Sequence, residues 1–380
     1  MTVLLVAPWG PLSLAFARSL HRQGVDTYLL QAAAQNRFRG SFPALRGSTT
    51  IPARLSGTGE GIDLLKRYAT AVGASALVAA VDSELIWLGR NRHQFEPSCR
   101  LLVPPPDALH RLQSKRHQLD LAARAGLSVQ PTYLLMRPDD AKGIPDHDLP
   151  LVLRPDRPDE VHPGFKVRLV RSREELERVI RASRILSPLI GQPFQSLPNL
   201  VVHGARTLAG DVIASRCYLV SRKFEGVSLS IESWPFPNAL EERCHEFATL
   251  ADITGCYHFE FLFSPADQRA FFLEVNVRLG GTTDKVVRTG FDEPRLLLET
   301  YGLLSRSPAS RDRGSGRVVN KRVLLKHMVW AATGKLTPLD YPDAGRVGHL
   351  AHSLRDMIVA KDSVFDWRDL PGSVKFQLRR

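Results

Sequence analysis

The chain has 380 residues, of which 43% are apolar and 24% are charged, and these values are ordinary for a globular protein of two or three domains. Its longest apolar stretches, such as residues 76–81, are too short to span a bilayer, and its N-terminus lacks the basic segment of a signal peptide. The four cysteines are scattered without a CxxC pair, which indicates neither a disulfide framework nor a zinc site. We therefore expect a cytoplasmic protein with no membrane partner.

The net charge of +12 arises from 51 Lys and Arg residues against 39 Asp and Glu residues. The arginines are dispersed along the chain and no nucleic-acid-binding motif accompanies them, so a nucleic-acid partner is not expected. A solvated basic surface explains the excess, and part of it can focus anionic ligands into a cleft.

The first hundred residues predict a parallel α/β domain. Strands and helices alternate from the N-terminus over residues 3–7, 12–22, 25–30, 61–73 and 76–81. This βαβ pattern predicts half of a doubly wound parallel sheet, whereas the absence of a GxGxxG motif leaves a dinucleotide site unsupported. Asp82 follows a buried strand, where it either lines a crevice or caps the next helix. Three consecutive prolines at 104–106 mark a boundary.

The middle of the chain predicts further helices and strands of a second and third unit. Helices are predicted over residues 108–125, 172–183 and 241–251, and strands over residues 150–155, 199–203, 211–220 and 227–233. Ser172 is expected to be the N-cap of its helix, because two glutamates follow it in the first turn. Arg216 lies on a predicted strand and Lys223 lies just beyond it; each is either a phosphate or substrate contact or an ordinary surface residue.

Residues 257–263 and 270–277 predict a β-hairpin, because both runs alternate and a polar six-residue turn separates them. Side chains two apart share a face of a strand. Glu260 and Glu274 are therefore expected to face each other across the ladder, while Leu273 points into a core.

Two carboxylates that oppose each other on a sheet repel, so a nearby cation must offset them. Mg²⁺ is the natural candidate, because it binds oxygen ligands from one or two carboxylates together with substrate phosphates. Asn276 and Arg278 lie on the face of Glu274 and add an amide oxygen and a fixed cation suited to phosphate. The pattern therefore favours a metal–phosphate site over an exposed hairpin face.

The run FFLEVNVRLGGT and its partner strand resemble the signature of the ATP-grasp superfamily, in particular carboxylate–amine ligases with a carbamoyl-phosphate-synthetase-type ATP-binding domain. The resemblance covers about residues 3–304 and implies ATP and Mg²⁺ as cofactors, with Mn²⁺ as an alternative ion. It implies that Glu260, Glu274 and Asn276 ligate the metal. It also implies that Arg278 contacts the transferred phosphate, so that Glu274, Asn276 and Arg278 form the catalytic set.

The same resemblance implies a set of nucleotide contacts. Lys115, in a Ser-Lys dipeptide, would approach the phosphates, and Arg154 stands where the family has a phosphate-binding lysine. Gly164 remains from the glycine-rich loop that closes over the phosphates in the family, and Lys166 beside it would supply a contact that the missing glycines do not. Gln192 lies where the family's hinge strand holds adenine through main-chain groups. Arg216 is grouped with these residues as a candidate contact because of its position on a predicted strand, and not because of the resemblance.

The resemblance also implies how the chain divides into domains. The expected parts are an N-terminal βαβ domain, two α+β subdomains of an ATP-grasp domain, and a linker with a small α/β appendage, over residues 1–107, about 108–188, about 189–304 and 305–380. The linker is predicted over residues 305–317, which are rich in Ser, Gly and Arg. No chemistry motif is found in the appendage.

The implied activity is amide formation between small-molecule carboxylate and amine substrates through an acyl phosphate, with Mg-ATP as the phosphoryl donor. Amino acids or peptides are the substrates that the family suggests, and a homodimer is left open. The alternative is an ATP-binding protein with weakened catalysis. Arg154 and the glycine-poor loop favour that alternative, whereas the complete metal-ligand set opposes it.

Overall fold

The computed structural model describes residues 1–32, 42–306, 316–342 and 344–378, and these residues form both strands and helices. The strands are β1 (Thr2–Val6), β2 (Asp26–Ala32), β3 (Gly47–Ile51), β4 (Ala76–Ala79), β5 (Arg100–Leu101), β6 (Tyr133–Leu135), β7 (Leu151–Pro155), β8 (Val161–His162), β9 (Arg168–Val170), β10 (Arg184–Ile185), β11 (Leu189–Pro193), β12 (Asn199–Arg206), β13 (Val212–Phe224), β14 (Val227–Trp234), β15 (Gly255–Ser264), β16 (Arg269–Asn276), β17 (Val318–Val319) and β18 (Lys361–Asp362). The helices are α1 (Pro11–Arg22), α2 (Gly59–Ala71), α3 (Asp82–Arg90), α4 (Pro106–Leu112), α5 (Lys115–Arg124), α6 (Arg173–Arg181), α7 (Leu240–Leu250), α8 (Thr283–Arg288), α9 (Glu293–Thr300), α10 (Lys321–Thr333), α11 (Arg346–Val359) and α12 (Leu370–Leu378).

The N-terminal sheet is parallel throughout, with the strand order β3-β2-β1-β4-β5. Its central strand β1 is apolar at every position from Val3 to Val6, and all four side chains are fully buried because helices cover both faces. The predicted doubly wound sheet is confirmed. Its strand order reverses between β1 and β4, the place where open α/β sheets form a crevice.

A four-stranded antiparallel sheet follows, in the order β6-β11-β7-β9, and α6 packs its apolar side against it. Ser172 is the N-cap of α6 and accepts a hydrogen bond from the backbone N–H of Glu175, as the sequence predicts. The strand β11 belongs to this sheet although it follows residue 188, where the expected subdomain division falls.

The largest sheet has seven strands in the order β16-β15-β12-β13-β14-β17-β18. One face is covered by α7, where Phe259, Phe261 and Phe272 are fully buried and Phe247 of the helix meets Phe259 edge-to-face. The residues that follow β16 cover the opposite face through α8 and α9. The functional side chains that the sequence singles out on the hairpin lie on this second face.

Two local expectations were wrong. The helix predicted over residues 108–125 is broken between Leu112 and Lys115, because the Ser114 hydroxyl accepts from the backbone N–H of His117 and begins a new helix there. Leu273, expected in the core, is only half-buried because a β-bulge lies opposite Glu260 and Phe261.

The C-terminal residues are not a separate sheet, because β17 and β18 extend the large sheet beyond β14. Most of the predicted linker, residues 307–315, lies outside the described residues. Among the described residues, no helix combines the length and the apolar character that a membrane crossing requires.

Candidate functional site

The carboxylates of Glu260 and Glu274 lie on neighbouring strands, and their residues are direct partners in the β15–β16 ladder. The predicted hairpin and this predicted pairing are both confirmed. The side chain of Glu260 is 29% exposed and that of Glu274 is 26% exposed, so both remain partly accessible to solvent. The strands thus fix two like charges beside each other.

The surroundings shift the pKa values of the two carboxylates in opposite directions. Burial and the neighbouring charge of Glu274 raise the pKa of Glu260 to about 7. Burial would also raise the pKa of Glu274, but the cations of Lys115 and Arg154 outweigh it and lower that pKa. The surroundings therefore favour the ionised form of Glu274 and the protonated form of Glu260.

Cationic side chains reach Glu274 from two other elements. Lys115, at the first position of α5, places Nζ 2.7 Å from Oε2 of Glu274. Arg154 of β7 is buried and donates to the carbonyl of Leu273 at 3.2 Å and to Oε1 of Gln192 at 2.6 Å. The structure therefore brings together three residues of the predicted nucleotide-binding set.

Asn276 and Arg278 continue the site toward the N-terminal domain. The Asn276 amide donates to Oε1 of Glu274 at 3.3 Å, and its oxygen accepts from Nη2 of Arg278 at 3.3 Å. Arg278 also binds Asp82 in a bidentate pair, with Nε 2.6 Å from Oδ1 and Nη2 2.7 Å from Oδ2. Asp82 therefore lines the crevice and is not the cap of α3, whose N-cap is Val81.

Other residues of the predicted set lie apart from the carboxylate pair. Gly164 and Lys166 are exposed between β8 and β9, and no described residue forms an ion pair with Lys166. Arg216 donates to the carbonyl of Thr289 at 3.4 Å and lines a separate cavity of about 1230 Å³ beside β13. Lys223 is half-buried and lies near enough to Glu260 for that carboxylate to raise its pKa, but burial outweighs this effect and lowers the pKa to about 8. Its Nζ donates to the carbonyl of Leu197 at 3.0 Å.

A buried polar network under the site was not anticipated from the sequence. Nδ1 of His203 lies 2.5 Å from Oε1 of Glu293, and Nε2 lies 3.0 Å from the Thr282 hydroxyl. The Thr283 hydroxyl donates to the other oxygen of Glu293 at 2.6 Å. Because a carboxylate oxygen accepts, Nδ1 of His203 is the donor in its contact with Glu293. These contacts fix residues 280–283, which follow Arg278.

His258 joins that network to the carboxylate pair. Its ring stacks on His203 at 5.3 Å between centroids, and its Nε2 lies 3.8 Å from Oε1 of Glu260. Burial, then the charges of His203 and Arg278, lower the pKa of His258 well below its usual value, so the ring is neutral. The sequence could have indicated this position of His258, because residues two apart on β15 share a face and His258 is two residues before Glu260.

Position 280 must be glycine because its backbone lies close to His258, and an added Cβ would overlap the imidazole ring. We expect Gly280→Ala to lower the free energy of unfolding by about 1–3 kcal/mol, because the buried ring has little room to move. Gly281→Ala is the matched control, since a Cβ at that position meets no atom within 4 Å. Urea unfolding of both variants checks the expectation, and equal stabilities would contradict it.

The carboxylate pair fits a divalent metal in the chemistry of its donors. Among the described residues, no hydrogen-bond donor reaches the Glu260 carboxylate, so this half-buried group has ligand capacity to spare. The same residues hold no group of three or more His, Cys, Asp or Glu side chains suited to a metal. A metal here would accordingly draw on Glu260, Glu274 and the Asn276 oxygen, with substrate oxygens completing its coordination.

The raised pKa of Glu260 predicts a pH dependence of stability. Between the usual pKa of a glutamate and about 7, the unfolded chain has released the proton while the folded chain still holds it, so stability falls as pH rises through that window. We expect Glu260→Gln to gain about 2 kcal/mol over the original chain between pH 4.5 and pH 8, after allowance for partial exposure. Urea unfolding in the presence of a chelator measures this, and parallel pH profiles would contradict it.

Comparison with solved structures identifies the fold. Biotin carboxylase from Campylobacter jejuni superposes with a TM-score of 0.66 at 17% identity, over 83% of this chain and 74% of that one. N5-carboxyaminoimidazole ribonucleotide synthetase from Thermus thermophilus gives 0.64 at 18% identity, over 83% and 82%. L-amino acid ligase from Bacillus licheniformis gives 0.62 at 16% identity, over 83% and 77%.

No protein-family model and no curated protein sequence matches the chain. The structural similarity nevertheless extends over 83% of the chain in each of these three comparisons. The chain therefore has the ATP-grasp fold that its Glu-x-Asn-x-Arg strand indicated.

Proposed function

We propose that the protein is an ATP-dependent carboxylate–amine ligase that forms an amide through an acyl phosphate. The observation that carries the proposal is the pairing of Glu260 with Glu274, beside Lys115, Asn276 and Arg278, in an ATP-grasp fold. Structures with this fold include complexes with an ATP analogue and with MgADP, which supports ATP and Mg²⁺ as the cofactors here.

In the proposed reaction, an oxygen of the substrate carboxylate attacks the γ-phosphorus of ATP and ADP leaves. The amine then attacks the carbonyl carbon of the acyl phosphate, and phosphate and a proton leave. When bound, the metal ion would neutralise part of the negative charge of the phosphates. Lys115 and Arg278 add fixed positive charge near Glu274. The electrostatic stabilisation that these charges give to the transferring phosphate is strongest where water is excluded.

The neighbouring residues orient these groups. Arg154 is held between Gln192 and the Leu273 carbonyl, so it joins the nucleotide-side sheet to the strand of Glu274. This contact replaces the free lysine expected from the family resemblance. Arg154 therefore has a positioning role in the proposal, with its charge 2.6 Å from the Gln192 oxygen that stands at the expected adenine hinge.

A protein that binds ATP without turnover is the second candidate. This candidate is favoured because the three cationic side chains of the site already bind protein groups. These side chains are Lys115, Arg154 and Arg278. Both candidates predict ATP binding, but they differ in whether a carboxylate is activated.

The deciding experiment measures ADP release from Mg-ATP with pools of carboxylates, in the presence of hydroxylamine. A carboxylate-dependent hydroxamate is expected, because hydroxylamine traps an acyl phosphate, and subdivision of the active pool identifies the substrate. Amino acids and short peptides form the first pools, since one structural neighbour is an L-amino acid ligase. Saturable ATP binding without hydroxamate from any pool would favour the second candidate, and absence of ATP binding would refute both.

A further inference from the structure

Lys115 is the first residue of α5, just after the break that separates this helix from α4. Its Nζ lies 2.7 Å from Oε2 of Glu274, so its ammonium group stands at the carboxylate pair. A lysine side chain has a long, flexible stem, and the ends of helices fray. The position of this charge therefore depends on the groups that hold the first turn of α5.

Asp156, the residue that follows β7, holds this turn from the side of the four-stranded sheet. Its carboxylate accepts from the Ser114 hydroxyl at 2.9 and 3.1 Å and from the backbone N–H of Arg116 at 2.8 Å. Its carbonyl accepts from the N–H of Lys115 at 3.4 Å, and its own N–H donates to the carbonyl of Pro188 at 2.9 Å, next to β11. Asp156 is buried, so water has little access to these contacts. It therefore ties both neighbours of Lys115 to the sheet.

The same carboxylate also occupies the positive end of the helix. A free helix N-terminus attracts anions, because its first N–H groups have no partner within the helix. Here the N–H of Arg116 binds Asp156 and the N–H of His117 binds the Ser114 hydroxyl. The protein's own groups thus fill the helix end. The ammonium of Lys115, and not the helix N–H groups, is the charge that α5 presents beside Glu274.

Gln118 holds α5 from the side of the large sheet. The strand β16 is the last strand at its edge of that sheet, and the Gln118 amide pairs with its backbone as a neighbouring strand would. Oε1 accepts from the N–H of Val275 at 2.9 Å, and Nε2 donates to the carbonyl of Val275 at 3.3 Å. Nε2 also donates at 2.6 Å to the carbonyl of Leu112, the last residue of α4. Gln118 is buried, so it fastens the break and the strand together away from water.

The spacing of these residues explains why Lys115 meets Glu274. Residues three apart lie on the same face of a helix, so Lys115 and Gln118 point to the same side of α5. Val275 directly follows Glu274 on β16. The contact of Gln118 with Val275 therefore fixes where α5 crosses β16, and Lys115 reaches the carboxylate of the preceding residue.

We propose that Asp156 and Gln118 are positioning residues that hold Lys115 at the phosphate end of the nucleotide site. The inference rests on the ATP binding of the proposed function, and it applies to both candidates, with or without turnover. Asp156 fixes the first turn of α5 to the four-stranded sheet, and Gln118 fixes it to the large sheet. Each acts through the placement of the Lys115 ammonium and not through a nucleotide contact of its own.

Calorimetric titration of the full chain with Mg-ATP tests the proposal. We expect Asp156→Ala and Gln118→Ala each to weaken Mg-ATP binding by about 10-fold, because a displaced ammonium loses most of its charge-assisted contact with phosphate. Asp156→Asn keeps an acceptor oxygen for the N–H of Arg116, so we expect its affinity to stay within about 3-fold of the original chain.

Asp140→Ala is the matched control. Asp140 also accepts from two backbone N–H groups, those of Met136 and Arg137, both at 2.8 Å, but it caps a different short helix over residues 138–143. We expect this variant to bind Mg-ATP within about 2-fold of the original chain. Urea unfolding verifies that each variant is folded. If Asp156→Ala does not fold, Ser114→Ala replaces it, because it removes the hydroxyl that Asp156 binds and leaves the carboxylate in place.

A double-mutant cycle separates positioning from a general loss of structure. Lys115→Met leaves no ammonium to place, so in that background Asp156→Ala and Gln118→Ala should each change the Mg-ATP affinity by less than about 2-fold. A residue that only supports the fold would weaken binding by the same factor in both backgrounds.

Three outcomes would overturn the inference while leaving the proposed function intact, since the original chain binds Mg-ATP in each of them. The first is an equal loss of affinity in the two backgrounds. The second is an affinity that neither alanine substitution changes. The third is an unchanged affinity in Lys115→Met, which would show that this ammonium has no part in nucleotide binding. An original chain that does not bind Mg-ATP would refute the proposed function, and this inference with it.

Discussion

Glu274→Gln is expected to lower turnover by at least about 100-fold while leaving the fold intact. The substitution keeps the shape of the side chain but removes the charge that Lys115 contacts at 2.7 Å and that the proposal assigns to the metal. Steady-state ADP release with the substrate found by hydroxamate trapping measures the loss. Because the residue is expected to act on the chemical step, kcat should fall more than the affinity for ATP.

Glu232→Gln is the matched control for this prediction. Glu232 also lies on a strand of the large sheet, is 28% exposed and pairs with a cation, with Oε1 3.2 Å from Nη2 of Arg317. It lies outside the proposed site, and we expect turnover within a factor of about three of the original chain. Equal losses in the two variants would mean that the Glu274 effect reports loss of an ion pair and not loss of a ligand.

Glu293→Ala is expected to destabilise the protein by about 3–5 kcal/mol. The Glu293 carboxylate is fully buried and satisfies both His203 and Thr283, so its removal leaves buried polar groups unpaired and a cavity beside them. Urea unfolding at neutral pH measures the change in the free energy of unfolding.

Two further variants separate the causes of that loss. Glu293→Gln keeps the volume and one acceptor, and we expect it to cost about 1–2 kcal/mol. Glu246→Ala removes an exposed carboxylate on α7 and should change stability by no more than about 0.5 kcal/mol. A Glu293→Ala variant as stable as Glu246→Ala would show that the buried network contributes nothing.

The hairpin was predictable because its information is local. Period-two alternation and a short polar turn set the register, and the register places Glu260 opposite Glu274. The bulge at Leu273 was not predictable in the same way, because it depends on how β16 meets β15 in three dimensions. The break before Lys115 was similar, since Ser114 caps a helix only once the chain has turned there.

The remaining contacts of the site join residues far apart in sequence. Lys115 and Glu274 are 159 positions apart, and His203 and Glu293 are 90 positions apart. No periodicity in the sequence encodes such pairs, because each depends on how a helix packs against a strand that is distant in sequence. The orientation of α11, whose buried side carries His349, Ser353 and Asp356, was equally hidden, since an amphipathic pattern predicts a helix but does not state which side faces water.

The bidentate ion pair between Asp82 and Arg278 has a consequence for selectivity. Asp82 presents both carboxylate oxygens to the guanidinium of Arg278, in the geometry that a substrate carboxylate would adopt. Under the proposed function, a substrate carboxylate can exchange with Asp82 in the same geometry, whereas water offers no matched pair of charged acceptors. The N-terminal domain would then act as a competitor that the true substrate displaces, and ATP would be spared from futile hydrolysis until that exchange occurs.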